Sequence, residues 1–166
     1  MTSDWTPVVV LFSVVIAIVA VLTIIIRGAF KGSATRAVAS VLGIFAGVSG
    51  ASHGPGEILQ GNIVPSGIMI KAWPGLTALN GEPAMTIVPS FLVTGVLALI
   101  FGLIVAAWAG VFIHRKNGGV VLILLSVIML LVGGGIVPPM FGVVAGIIGT
   151  RIKQGSKSVK HEGIDS

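Results

Sequence analysis

"VGGGIVPPM", Val132–Met140, lies inside an uncharged run of 33 residues from Gly118 to Thr150. As one helix the run would be about 50 Å long at ~1.5 Å per residue, against a bilayer hydrocarbon core of about 30 Å. Tilt alone would have to exceed ~50°, beyond the ~0–40° of membrane helices. Pro139 disfavours helical geometry at Pro138, and Pro138 does the same at Val137. Three glycines immediately before them weaken the helix further. The run is therefore expected to break and turn back, with Gly133, Gly134, Gly135, Pro138 and Pro139 as the hinge. The second half, 138–150, either crosses completely or stays re-entrant.

The rest of the chain has the same character. Of 166 residues, 55% are hydrophobic and only 9% charged, more apolar surface than a water-soluble domain of this size can hide. Pro7–Ile26 and Val88–Ile113 are further charge-free runs of membrane-spanning length. The first lacks the basic start of a signal peptide, carrying Asp4 instead, and exceeds the usual ~7–15-residue apolar region. It reads as a retained helix. A shorter segment, 37–52, is rich in small residues, including Gly43 and Gly47 four apart.

The expected architecture is an all-α polytopic membrane protein of about five crossings. They fall at about 7–26, 37–52, 89–113, 119–135 and 138–150, in a single domain of residues 1–154 with an outer loop over 53–88. A polar cytoplasmic tail, 155–166, follows. Charge sets the orientation. With the N-terminus outside and five crossings, nine of the ten Lys and Arg residues face the cytoplasm and only Lys71 lies outside; four crossings misplace several of them. The expected location is the cell membrane, that of a prokaryotic cytoplasm in particular.

The 36-residue loop, His53 to Val88, is too long for a bare connection and should have structure or function of its own. Val64-Pro65-Ser66-Gly67 fits a type I turn, with proline second and glycine fourth. Apolar stretches on both sides, Ile58–Val64 and Ile68–Trp73, suggest a β-hairpin on the membrane surface. An interfacial or re-entrant segment is the alternative.

Two groups of residues stand out. Thr94, Ala98, Gly102, Ala106 and Gly110 form a ladder at spacing four, which together with Gly43 and Gly47 would let helix backbones approach closely. The polar group is His53, Glu57, Gln60 and Asn62, with Glu82 on the same side of the membrane. A histidine beside carboxylates could hold a polar ligand or cation, or move a proton. The intervening Gly54-Pro55-Gly56 is expected to set them on a bend, accessible to water. The plainer alternative is a loop whose polar groups meet water and headgroups.

No Asp, Glu, Lys, Arg or His interrupts the apolar runs, so proton relays across the membrane have no obvious carriers. Zero cysteines remove disulfides and thiolate metal sites. The bases form no stripe suited to nucleic acid, and no nucleophile–base pair or phosphate loop is recognisable. The expected function is that of a small non-enzymatic membrane protein, a structural or accessory subunit whose partners are lipid and other membrane proteins or copies of itself. The alternatives are a channel or transporter for a small solute, or an extracytoplasmic ligand- or metal-binding protein. No cofactor is identifiable.

Overall fold

Ser90 sits in extended backbone, and its hydroxyl accepts the Val93 N–H at 3.4 Å. That cap starts a helix of 21 residues, and the fold is built around it. The structure, a computed structural model, describes residues 34–75, 77 and 80–152. The expected first span, 7–26, and the tail, 155–166, lie outside these residues. In chain order the elements are α1 (Ala34–Ala51), α2 (His53–Leu59), β1 (Met69–Ile70), β2 (Ala84–Met85), α3 (Phe91–Val111), α4 (Gly118–Leu131) and α5 (Val137–Thr150). The chain is mostly helical, with one small two-stranded antiparallel sheet. By length and composition, Ala34–Leu59 and Phe91–Val111 could each cross a membrane.

The 118–150 run does turn back. A β-carbon added to Gly146 would lie 2.7 Å from the Gly119 carbonyl oxygen, and one added to Gly134 would lie 2.8 Å from that of Met129. The start of α4 therefore lies beside the end of α5, and the two pair antiparallel. Gly133 and Gly135 make the reversal, at φ +97° and +78°, a backbone region costly for any residue with a β-carbon.

The prolines behave differently from expectation. Pro138 and Pro139 are not part of the turn; they occupy the first turn of α5. There a missing N–H leaves no helical bond unmade, so steric disfavour at the preceding residue is outweighed by a favourable start. The hinge is accordingly shorter than expected, and the two helices are 118–131 and 137–150 rather than 119–135 and 138–150.

Packing inverts the pattern of a water-soluble protein. Fully enclosed positions are mostly small, Ala39, Ala46, Ala98, Ala106, Ala109 and Ala145 with Ser40, Thr94 and Ser126, gathered around Val105, Ile113, Leu122 and Met129. Large side chains such as Val41, Phe45, Val96, Ile100, Leu103, Leu124 and Ile147 point outward. Small interiors allow backbone contact between helices. An added β-carbon at Gly102 would lie 2.6 Å from both the Ala51 nitrogen and the Gly47 oxygen; one at Gly43 would meet Ala109, Leu122 and Ala145. The ladder Thr94, Ala98, Gly102, Ala106 and Gly110 is buried throughout. Helix α1 thus packs between α3 and α5, and α5 packs along α4.

The loop over 60–88 is not the expected hairpin. Residues 58–59 belong to α2, and β1 pairs instead with β2, Met69 opposite Met85 and Ile70 opposite Ala84. On its other side this segment joins the helical turn: the Ile87 N–H donates to the Leu131 carbonyl at 3.0 Å and the Gly133 N–H to that of Met85 at 2.9 Å. The proline turn matched a local pattern, but the backbone groups that needed partners were those left free between α4 and α5. The loop therefore caps the end of the bundle where that turn lies.

Candidate functional site

Helix α2 is where sequence and structure differ most usefully. Gly54-Pro55-Gly56 forms helix rather than a bend. Pro55 falls in the first turn, where it costs no hydrogen bond. Gly54 allows α2 to lie on α3, since an added β-carbon there would sit 2.6 Å from the Gly95 oxygen and 2.5 Å from Leu99 Cγ. Because the segment is helical, His53 and Glu57 are four residues apart on one face. That face is turned inward: His53 is 3% exposed and Glu57 5%, so the expected accessible cluster is in fact enclosed.

Glu82 reaches this face from the loop. Its Oε1 meets His53 Nε2 at 2.9 Å, across 29 positions of sequence, and Glu82 itself is only 9% exposed. Burial alone would raise the Glu82 pKa. Hydrogen bonds from His53, its own backbone and Thr77, with the charge of His53, outweigh that and hold it below its usual 4.5.

The glycine turn forms the floor. A β-carbon on Gly135 would lie 2.6 Å from His53 Nε2; one on Gly133 would lie 2.7 and 2.9 Å from the two Glu57 oxygens. The stretch that reverses the chain is thus also the surface against which both polar side chains rest. Neither Glu57 oxygen has a hydrogen-bond partner, and Glu82 Oε2 has none.

Above Glu57 is a small chamber lined by His53, Gly56, Glu57, Gln60, Lys71, Ala72, Trp73 and Thr77. It leaves about 10 Å³ for the centre of a water-sized particle, room for one. Gln60 is half-buried at its edge and donates to the Gly56 carbonyl at 3.3 Å. Asn62 does not join the group. It is exposed, and its Oδ1 accepts from the Ser90 hydroxyl at 2.7 Å, which ties the loop to the start of α3.

Nothing in the sequence pointed to Thr77, Trp73 or the turn glycines as walls of this site. Glycine runs signal a bend but not what rests upon it. Among the described residues, no group of three or more His, Cys, Asp or Glu is arranged to hold a metal ion. In comparisons with known proteins, no family model, no curated protein and no solved structure matches the chain.

Proposed function

We propose that this chain is a multi-pass membrane protein of five crossings that serves as a non-enzymatic structural or accessory subunit of a membrane assembly. The observation that carries this reading is the inverted packing. A bundle whose interior is mostly Gly, Ala and Ser around a few large residues, with many Val, Leu, Ile and Phe side chains outside, suits a solvent as apolar as those side chains. The helix interiors meet at backbone contact, which leaves the outer faces available to lipid and to neighbouring helices.

Charge supports an orientation with the C-terminus in the cytoplasm. The His114 pKa is lowered by burial and by the nearby charges of Arg36 and Arg115, so these bases share one end of the bundle. Arg151 adjoins the groove that Arg115 lines there. Lys71, within the loop, is at the opposite end. Basic residues at one end match the bias that holds such segments on the cytoplasmic side. Helices α4 and α5, 14 residues each, would span only about 21 Å. Their turn reaches the level of Thr94, near the start of α3, which supports a nearly complete crossing with local thinning of the bilayer.

The test is purification of the full chain in a mild detergent followed by native mass spectrometry. An accessory subunit is expected to appear with a stoichiometric partner protein or as a defined oligomer. A lone monomer, at detergent concentrations that preserve other membrane complexes, overturns the assignment.

A further inference from the structure

We propose that the chamber beneath the loop binds one small monovalent cation, about the size of a water molecule, through the carboxylate of Glu57. The inference goes beyond the role of a subunit and does not depend on it.

The first ground is unmet chemistry. Glu57 is more than nine-tenths buried, lines the chamber, and has no partner for either oxygen. A carboxylate removed from water without hydrogen bonds or counter-charge is costly. Glu82 adds a second carboxylate, with Oε2 also unpartnered, and faces only one histidine. His53 answers Glu82, and Lys71, which also lines the chamber, is exposed at its rim and pairs with neither carboxylate, so an ionised Glu57 would have no buried counter-charge.

The second ground is the size of the space and what surrounds it. The chamber admits one particle the size of water, which excludes organic cations such as choline. A neutral water could donate two hydrogens but would leave the charge unmatched. A transition metal would need several imidazole, thiolate or carboxylate ligands together, and no such group occurs among the described residues. Sodium, potassium or ammonium needs only oxygen atoms at contact distance, and backbone carbonyls at interrupted helices serve that purpose in membrane proteins.

The charged groups around Glu57 are few. Its own helix contributes His53, and the loop contributes Glu82 and Lys71. Helix α3 and the 132–136 turn contribute none. Lys71 is exposed at the rim and forms no ion pair with either carboxylate. The C-terminal end of α4 and the N-terminal end of α5 both lie at the turn, so their opposed dipoles offset one another.

The experiment is equilibrium binding of radiolabelled sodium to the purified full chain in detergent, with potassium, ammonium, calcium and choline as competitors at equal ionic strength. The expected result is saturable binding, displaced by unlabelled sodium and by potassium or ammonium but not by choline. Glu57→Gln, which keeps the shape and removes the charge, is expected to abolish it while leaving helix content and elution volume unchanged. The absence of saturable sodium binding, binding unaltered in Glu57→Gln, or displacement by calcium alone overturns the proposal. So does sodium binding that appears only in Lys71→Met, because the lysine would then be the native counter-charge.

Discussion

His53 Nε2 and Glu82 Oε1 meet at 2.9 Å with both side chains enclosed, and this contact fastens the loop to α2. Removing one partner leaves the other buried and unpaired, at a cost of about 3–5 kcal/mol when a charge is stranded. His53→Ala is therefore expected to loosen the loop while α3 to α5 remain folded. Limited proteolysis should show faster cleavage within 60–88 than in the native chain. Equal cleavage rates would mean that the β1–β2 pairing holds the loop without this contact.

The same contact has a pH signature. Glu82 is held below its usual 4.5, through hydrogen bonds and charge that prevail over burial. A depressed folded pKa contributes stability that is fully present above the unfolded value and is lost as pH falls through the folded one. The loop is expected to loosen as the solution is acidified below about 4.5. Glu82→Gln should flatten that acid limb and leave the neutral region with a smaller, pH-independent loss. Hydrogen exchange of the 84–87 amides as a function of pH reads both effects.

Gly135 and His53 should show strong coupling. Alanine at Gly135 is strained at φ +78° and also drives its β-carbon towards His53 Nε2. The single change is expected to destabilise by about 1–3 kcal/mol. Removing the imidazole as well relieves the collision but not the strain, so Gly135→Ala with His53→Ala should cost less than the sum of the two. A double-mutant cycle on detergent unfolding measures the difference. Strict additivity would separate the turn from the site.

Gly102→Leu and Leu103→Ala are neighbours with opposite expected outcomes. Gly102 touches the α1 backbone at Gly47 and Ala51, whereas Leu103 is half exposed. The larger side chain at Gly102 must push the helices apart, at about 1–3 kcal/mol or more. Leu103→Ala should stay within about 0.5 kcal/mol, as outward-facing changes do. Similar thermal stability for the two variants in detergent would contradict the packing.

Topology can be read directly. Reporter fusions after Gly75 and at Ser166 are expected to lie on opposite sides of the membrane, with Ser166 in the cytoplasm. An external Ser166 rules out the five-crossing arrangement.

Much of this architecture could be read from residue order, because charge-free length and small-residue spacing are local properties. The reversal at Gly133–Gly135 followed from helix length against bilayer thickness, and the interior ladder from its spacing of four. Pro138 and Pro139 bear the same sequence whether they end one helix or begin another, so their place in the first turn of α5 rather than in the hinge is not legible from them. The loop misled for a related reason: Pro65 and Gly67 describe a plausible turn, but β1 chose the partner that the α4–α5 turn made available. His53, Glu57 and Glu82 stand out as a group in the sequence, which does not show that they are enclosed. Burial here depends on α2 being helical and on Gly54 admitting α3, neither of which the segment shows by itself.

The floor beneath His53 and Glu57 comes from residues 133–135, so it is translated about 80 residues after the side chains it supports. Until that stretch is made, the chain holds no residues that could form the floor. The site therefore depends on the last helical pair: a chain cut after α3 keeps the histidine and both glutamates, yet lacks the glycine turn on which they rest.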